Sequence, residues 1–428
     1  MELMKLPLDI GLEIVNVLRE KGIEPRKNAS GFLSFEFTQE ELNEITELTI
    51  NNPKPNCLIG LENCKNLEKL TINSSYSAYK KNNPSISDKD IVVISKLTSL
   101  KYLKIANQEK ISWVYLDNLT NLEELIIVRN NKLEEVSGLD KLKKIHDLSI
   151  YGNKELYDLP HIQDLIMSND LNLLELDLLS YPEVCDLRNK LSNIINCSFK
   201  ETLSNGGELS YNSGIASLFH QKSLEIIKNV VESIRNDLDI IILIDKYLAE
   251  NIVYDYDARD RENRAHFENG QKRGLNHGTQ SAYNGLMLNS CVCEGYTRSM
   301  QYLLKVLNIK TKNVYCIGGN DKIKINENYH NQITLPDDGY HSIIRIEINN
   351  NIYYCDPCWD SCHWHRGDQS LPYCLKNKKD ILKDHTLSFE EDNISIDGYT
   401  NSVSEEYIKI VCERSNTILT PESNAHKK

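Results

Sequence analysis

The first half of the chain repeats one hydrophobic pattern, in which an apolar residue is followed three and five positions later by two more. The six triplets are Ile45/Leu48/Ile50, Leu67/Leu70/Ile72, Leu100/Leu103/Ile105, Leu122/Leu125/Ile127, Ile145/Leu148/Ile150 and Leu173/Leu176/Leu178. Their first members are separated by 22, 33, 22, 23 and 28 residues. The two-residue spacing that ends each triplet predicts a short strand with one buried face. One such unit cannot bury its own apolar face, so neighbouring units must stack.

This period is that of leucine-rich repeats with two insertions. Asn130 and Asn153 follow their triplets where a side-chain amide can satisfy backbone groups in the turn. The polar stretch Ser74–Asp90 widens one interval and is predicted to be a surface loop. Residues 7–21 carry helical spacing and could cap the array. We therefore assign 1–40 to a helical N-terminal cap and 41–183 to the repeats.

The second half changes to helical and alternating patterns. Apolar spacing predicts one helix over 224–234, with Ser223 as its cap, and another over 241–252. The charged stretch Asp255–Gly278 shows little periodicity and is predicted to be a long loop near the site. Domain assignments for this half are a linker at 184–214, a second domain at 215–413 and a polar tail at 414–428.

Composition limits the partners that the chain can have. A net charge of −13 and a pI near 5.4 in 428 residues argue against nucleic acid and anionic lipid, which recruit basic surfaces. The N-terminus shows no signal-peptide pattern, and the longest apolar run, 240–244, is too short to span a bilayer. Twelve irregularly spaced cysteines indicate reduced thiols. We expect a cytoplasmic protein with no nucleic acid or membrane partner. Export by a route that needs no N-terminal signal would also be compatible with this sequence.

Candidate chemistry centres on Cys293, His341 and Asp356. A stripe of apolar residues after Cys293 predicts a helix that begins there, and the positive end of a helix favours a thiolate. His341 and Asp356 lie on the two strands of a predicted hairpin. With a two-residue turn at Asn349 and Asn350, Asp356 faces Ile343 and His341 faces Cys358, which puts the histidine and the aspartate on one face. A three-residue turn would put them on opposite faces.

These groups can have the three roles of a nucleophilic triad. The Cys293 thiolate would attack, His341 would exchange the proton, and Asp356 would orient the imidazole. The backbone N–H of Cys293 is one candidate donor to the oxyanion. The side chain of Gln280 or that of Tyr283 is the candidate for a second donor. We expect no cofactor and no metal. Zinc binding by the residues Cys355, Cys358, Cys362, His363 and His365 stays an alternative, because their spacing is irregular for four ligands.

Four ordered segments resemble the transglutaminase-like superfamily of Cys-His-Asp enzymes. They are Ala282-Tyr283, Cys293-Glu-Gly-Tyr296, His341 opening a strand, and Tyr354-x-Asp356-Pro-x-Trp359-Asp360. The resemblance implies a papain-like α+β core and identifies Cys293 rather than Cys291 as the nucleophile. It also leaves His385 as a structural residue. Two positions depart from the family pattern, with Ser342-Ile343 after the histidine and Cys358 before the tryptophan.

Residues 40–180 resemble leucine-rich repeats of internalin type, in which a Gly-Leu pair precedes the next consensus leucine, as at Gly60-Leu61 and Gly138-Leu139. Such arrays generally bind proteins, although repeats can also serve as a spacer. The predicted fold class is α+β, with a leucine-rich-repeat solenoid followed by a papain-like transglutaminase-like domain. The predicted function is acyl transfer from peptide or glutamine amide bonds of a protein substrate through a Cys293 thioester. Proteolysis, deamidation and crosslinking stay open, and the alternative is a non-catalytic interaction protein.

Overall fold

The chain has a mixed α/β fold that divides into two compact units. The fold comes from a computed structural model, which describes residues 3–27, 30–75, 83–203, 207–231, 234, 236–259, 278–318, 340–387 and 400–418. One unit comprises Met1–Thr202 and Ser210–Ala216, and the other comprises Leu203–Leu209 and Ser217–Lys428. Most of the predicted loop Asp255–Gly278, part of the predicted loop Ser74–Asp90 and most of the predicted tail lie outside the described residues.

The first unit is built around an eight-stranded sheet. Its elements are β1 (Met4–Lys5), α1 (Leu8–Glu20), β2 (Glu36–Phe37), α2 (Gln39–Asn43), β3 (Glu47–Asn51), β4 (Lys69–Asn73), α3 (Asp88–Ile94), β5 (Tyr102–Ala106), β6 (Trp113–Tyr115), β7 (Glu124–Val128), β8 (Glu135–Ser137), β9 (Asp147–Tyr151), α4 (Ile162–Ser168), β10 (Leu173–Asp177), α5 (Arg188–Leu191), β11 (Asn196–Thr202) and β12 (Glu208–Asn212). The sheet order is β12-β11-β10-β9-β7-β5-β4-β3. Pairing is parallel from β3 through β11.

The triplet residues line up across this sheet because neighbouring strands pair without offset. Their middle members form one row, which consists of Leu48, Leu70, Leu103, Leu125 and Leu148. Each is at most 1% exposed. Full burial of a leucine side chain stabilises the folded state by about 1.5–3 kcal/mol. Each leucine of this row is fully buried only because the neighbouring strands cover it. The strand predicted at each of the first five triplets is confirmed.

The sixth triplet was predicted in the wrong place. Strand β10 pairs with β9 so that Leu174 lies opposite Leu148 and Leu176 lies opposite Ile150. The middle and last members of this triplet are therefore Leu174 and Leu176 rather than Leu176 and Leu178, a shift of two residues that keeps the same face of the strand inward. Leu171, Leu174 and Leu176 have the same spacing as Leu173, Leu176 and Leu178, so the sequence by itself does not distinguish the two registers.

The sheet also extends beyond the last predicted repeat. The segment 184–214, which we expected to be a linker, contains α5, β11 and β12. Strand β11 continues the parallel pairing, with Phe199 opposite Leu176. Phe199 is fully buried, so it occupies the place of a consensus aliphatic residue. A phenylalanine in that place is why the leucine pattern missed this strand.

Buried amide side chains form a second row beside the strands. The Oδ1 of Asn153 accepts from the backbone N–H of Asn130, and the Oδ1 of Asn130 accepts from that of Gln108, each over 2.9 Å. The Oε1 of Gln108 continues the row by accepting from the N–H of Ile86. The Nδ2 of Asn130 also donates to the carbonyl of Ile105. The prediction that Asn130 and Asn153 satisfy backbone groups is confirmed, and Gln108 does the same one unit earlier.

Replacing Asn130 with alanine is expected to lower the free energy of unfolding by about 2–4 kcal/mol. The change leaves the N–H of Gln108 and the carbonyl of Ile105 buried without their partner, and each unsatisfied group costs about 1–3 kcal/mol. Urea unfolding followed by circular dichroism measures the change. The control is Asn118→Ala at an exposed position, where we expect less than about 0.5 kcal/mol. Equal effects of both substitutions would contradict a role for the buried row.

The second unit combines an antiparallel sheet with helices. Its elements continue with α6 (Ser213–Val231), α7 (Asp237–Asn251), β13 (Val253–Tyr254), α8 (Ala282–Leu288), β14 (Ser290–Cys291), α9 (Cys293–Val306), β15 (Lys310–Gly318), β16 (Tyr340–Ile348), β17 (Asn351–Cys355), α10 (Pro357–His365), α11 (Lys378–Ile381), β18 (His385–Leu387) and α12 (Glu405–Ile418). The sheet order is β17-β16-β15-β18. Among the described helices, none has the length and apolarity to cross a membrane.

Helix α9 is the centre of this unit. It packs against β15, β16, α7, α8 and α10. The predicted stripe is fully buried at Tyr296, Met300 and Leu303. The helix predicted to begin at Ser223 instead begins ten residues earlier, at Ser213. Ser223 lies inside it and donates its hydroxyl to the carbonyl of Phe219, four residues back, so it is no cap.

Candidate active site

The hairpin of β16 and β17 has the register that brings His341 and Asp356 to one end. Its turn consists of Asn349 and Asn350, whose φ values of 49° and 64° are those of the left-handed pair in a type I′ turn. Ile344 lies opposite Cys355. The two-residue turn is therefore the one observed. The predicted pairing of His341 with Cys358 is wrong, because Pro357 starts α10 and turns the chain out of the strand.

Cys293 is the first residue of α9 and is partly exposed. Val292, the residue before Cys293, makes no capping hydrogen bond with its side chain. It therefore leaves the N–H groups at this end of the helix, where the Cys293 thiol lies, without a side-chain cap. Cys291 is fully buried, and this burial raises the pKa of its thiol well above the ordinary value. Of these two cysteines, Cys293 is thus the one a substrate could reach in its reactive form.

Asp356 receives two imidazole hydrogen bonds on one carboxylate oxygen. The Nε2 atoms of His341 and His385 lie 2.7 Å and 3.0 Å from its Oδ2. Its Oδ1 accepts from the backbone N–H of Trp359 at 3.0 Å and so caps α10. All three titratable side chains are at most 8% exposed. With its Nε2 on Asp356, the His341 ring directs Nδ1 to its other side, and Cys293 is close enough to raise the pKa of the ring.

The charges of the site reinforce one another. Burial by itself would lower the pKa of His341, but Asp356 and Cys293 outweigh it and raise that pKa from 6.5 to about 10. Burial by itself would raise the pKa of Asp356, and the imidazoles of His341 and His385 instead hold it well below its ordinary value. The site therefore favours an imidazolium on His341 beside the Asp356 carboxylate near neutral pH.

Packing fixes the ring of His341. The indole of Trp359 lies 5.3 Å from the His341 ring and 4.4 Å from the His385 ring, measured between ring centroids. A Cβ at Gly318 would stand 2.7 Å from this indole, so only glycine leaves room for it. A Cβ at Gly295 would likewise stand 2.5 Å from the Cβ of Cys291, which shows that the first turn of α9 is closely packed on its inner side.

Gln280 is the better placed of the two side chains considered as oxyanion donors. It ends a short 3₁₀ helix, Gly278–Gln280, which is tied to the start of α9 because the N–H of Val292 donates to the carbonyl of Thr279. Its Oε1 is buried without a hydrogen-bond partner among the described residues. Tyr283 lies in α8, and its ring packs beside that of Phe219.

Within the part of the chain that the structure describes, two groups of side chains have ligand atoms close enough for a metal ion. One consists of His341, Asp356 and His385. Its two ring nitrogens already share the Asp356 oxygen by hydrogen bonding, so we interpret this group as a polar network. The other group consists of Asp245, Cys355 and Cys374.

The cysteine and histidine cluster predicted as an alternative zinc site does not converge. The Nδ1 of His363 bonds to Asp368, and the Nε2 of His365 bonds to the carbonyl of Ile252. Cys362 instead interacts with Cys358 and Tyr256, and the first of these interactions does most to lower the pKa of Cys362 to about 6. Cys362 is thus a partly exposed thiol with a lowered pKa, which the sequence did not indicate.

The structure brings together the three residues that the sequence indicated, and it adds His385 to them. The resemblance left His385 as a structural residue, and it lies 29 positions after Asp356. Its position opening β18, which pairs with β15, is what delivers it to the same carboxylate. The arrangement can hold a thiolate beside an imidazolium and can return a proton to a leaving group.

Comparisons with known proteins find no matching family model and no matching curated protein. Partial likenesses to solved structures include an internalin of Listeria monocytogenes, with 25% identity over 44% of this chain and 48% of that chain and a TM-score of 0.30. A structure described as a TGase has 12% identity over 34% and 31% of the two chains and a TM-score of 0.24. A proposed cysteine protease of Cytophaga hutchinsonii has 14% identity over 43% and 48% and a TM-score of 0.23.

The chain thus spans between 31% and 48% of these solved chains. Leucine-rich-repeat and transglutaminase-like proteins are among the neighbours, but with every TM-score at or below 0.30 we draw no inference about activity from them.

Proposed function

We propose that this protein is a cysteine-nucleophile acyl transferase of transglutaminase-like type that acts on amide bonds of a protein substrate. The thiolate of Cys293 attacks the carbonyl carbon of a peptide or glutamine amide and forms a tetrahedral oxyanion. As the C–N bond breaks, the imidazolium of His341 donates its proton to the departing amine or ammonia. A thioester on Cys293 is left. Water or a lysine amine then attacks it and gives its proton to His341, and the Cys293 thiolate leaves, which restores the starting state.

One observation carries this proposal, which is the hydrogen bond between Asp356 and the His341 ring together with a Cys293 thiol close enough to raise the pKa of that ring. A buried carboxylate, an imidazole with a raised pKa and a partly exposed thiol at a helix N-terminus suit nucleophilic catalysis. The backbone N–H of Cys293 and the amide of Gln280 are the proposed donors to the oxyanion.

The proposal extends to the whole chain. We propose that residues 41–183 are a leucine-rich-repeat array with a helical cap at 1–40, and that residues 215–413 are the catalytic domain. The parallel row of buried leucines supports the first part. We propose that the repeats bind the protein substrate or a protein partner. Proteolysis, deamidation and crosslinking differ only in the group that is released and the group that attacks the thioester.

A labelling experiment tests the thiol chemistry. Cys362, with its lowered pKa, would also react with an electrophile, so the test uses a Cys362→Ser background. At pH 7 we expect iodoacetamide to modify Cys293 selectively, as measured by peptide mass spectrometry. In His341→Ala the rate should fall by up to about 30-fold, because an unassisted thiol is only about 3% ionised at pH 7.

The ratio between the labelling rates with His341 present and with His341→Ala is expected to change with pH in one direction. Because the pKa of His341 is raised to about 10, its positive charge is present through neutral pH and is lost as the pH rises through 10. The groups that face it are Asp356, Cys293, His385 and the buried thiol of Cys316 on the paired strand. The ratio of the two labelling rates should therefore be largest near pH 7 and approach one above pH 10. Equal rates at pH 7 would contradict the catalytic proposal and favour a non-catalytic interaction protein.

A further inference from the structure

A second cluster of polar side chains lies in the second unit and has no part in the proposed chemistry. It consists of Asp245 on α7, Cys355 at the end of β17, and Cys374, which follows α10. One ligand atom from each lies within 4.8 Å of the other two. Asp245 and Cys355 are 0% exposed, and so is Cys374. Two sulfurs and an oxygen at this separation are a set of donors that divalent transition metals bind.

Asp245 is the residue that calls for an explanation. Both of its carboxylate oxygens are buried without a hydrogen bond of good geometry among the described residues. The thiol of Cys374 and the carboxyl of Asp360 stand near it and interact with it. A buried carboxylate without partners is strongly destabilising unless a cation or protein donors compensate for it.

A second buried carboxyl, that of Asp360 on α10, interacts with Asp245. The Oδ1 of Asp360 accepts from the backbone N–H of Tyr373, whereas its Oδ2 is buried without a partner among the described residues. The negative charges of Asp245 and Asp360 oppose each other, and burial opposes both. The described lysine closest in sequence, Lys246, turns its amine to the carbonyl of Cys412 and the hydroxyl of Ser415. The cluster therefore lacks that cation.

The sulfur of Cys355 has a backbone hydrogen-bond donor. It accepts a hydrogen bond from the backbone N–H of Leu375 at 3.1 Å. Donation from a backbone amide to a sulfur is a usual second-layer contact around metal-bound cysteines.

We infer that Asp245, Cys355 and Cys374 form a structural site for a divalent transition metal, with zinc as the expected ion and the carboxyl of Asp360, which interacts with Asp245, beside it. Two thiolates select zinc over magnesium and calcium, which prefer oxygen ligands. All three ligand residues are fully buried, and a site closed to solvent suits a structural role rather than a catalytic one, which needs an open position. The site joins α7 to the end of the hairpin, one residue before Asp356. It is independent of the proposed acyl transfer.

Metal analysis of the full-length protein tests the site. The protein is produced in medium that contains zinc, passed over a chelating resin to remove loosely held ions, and analysed by inductively coupled plasma mass spectrometry. We expect about one zinc per chain in the wild type. Cys374→Ser and Asp245→Asn should each lower this by at least about five-fold. Cys64→Ser is the matched control, because Cys64 is also buried and lies in the other unit, and it should retain the metal.

A second readout does not depend on how well the variants fold. Wild-type protein stripped by a chelator and loaded with Co²⁺ should show sulfur-to-cobalt charge-transfer absorption in the near ultraviolet, together with the visible bands of tetrahedral cobalt. Chelation should also lower the melting temperature. Less than about 0.1 metal per chain in the wild type, with no cobalt spectrum, would overturn the inference. A disulfide between Cys355 and Cys374 in the purified protein, seen by mass spectrometry without reduction, would overturn it as well.

Discussion

Cys293→Ala is expected to abolish turnover, with a loss of about 10⁴-fold or more in the rate of product formation. The substitution removes the sulfur that forms the thioester, and the structure offers no other nucleophile at the start of α9, because Cys291 is buried and its pKa is raised. The protein is incubated with a cell proteome, and mass spectrometry detects new peptide termini, deamidated glutamines or crosslinked lysines. Whichever product the wild type forms should be absent with Cys293→Ala.

The matched control for this substitution is Cys362→Ser. Cys362 has the lowered pKa of a reactive thiol and is also partly exposed, but it lies on α10 and not at the imidazole. Turnover should stay within about two-fold of the wild type. If Cys362→Ser removed the products and Cys293→Ala kept them, the nucleophile would be Cys362. If neither changed them, the products would come from a contaminating enzyme.

Asp356→Asn is expected to lower both turnover and stability. An amide keeps the size of the side chain but removes the charge that holds the His341 imidazolium, so turnover should fall by about 10²–10⁴-fold. Removing one partner of a buried ion pair costs about 3–5 kcal/mol, and we expect the lower end of that range because the amide oxygen can still accept one hydrogen bond. Turnover is measured as above, and the free energy of unfolding by urea denaturation.

Asp368→Asn provides the matched control, since Asp368 forms a carboxylate–imidazole pair with His363 that is exposed to solvent. Exposed pairs contribute little, so we expect a change below about 1 kcal/mol and no effect on turnover. A separate comparison isolates the charge. Asp356→Glu retains it in a longer side chain, and partial recovery of turnover relative to Asp356→Asn would support electrostatic positioning. Unchanged turnover in Asp356→Asn would remove Asp356 from the proposed triad.

Much of the fold could be predicted from the sequence, because the patterns that indicate it involve residues that are close together along the chain. The spacing of Leu48, Leu70, Leu103 and their successors predicted the strands, since alternate side chains must share one buried face. The stripe after Cys293 predicted the start of α9, and the asparagine pair at 349–350 predicted a turn that accepts left-handed backbone. Each signal involves residues within one turn, strand or helix.

The errors lie where local pattern is ambiguous. Leu171, Leu174 and Leu176 fit the triplet spacing as well as Leu173, Leu176 and Leu178 do, and only pairing with β9 shows which register is correct. Ser223 looked like a helix cap, but a serine can also bond to the carbonyl four residues back inside a helix. Phe199 was missed because its fit depends on the space left by the neighbouring strand, which composition does not reveal.

The sequence by itself determined the strands of the repeats, the helix that begins at Cys293 and the hairpin that carries His341, because hydrophobic period and turn chemistry act over a few residues. Only the tertiary structure decided that His385 shares the Asp356 carboxylate and that Asp245 meets Cys355 and Cys374. The partners in those groups lie up to 129 positions apart, from Asp245 to Cys374. Contacts over such distances exist only after the sheet and helices pack, so no local pattern encodes them.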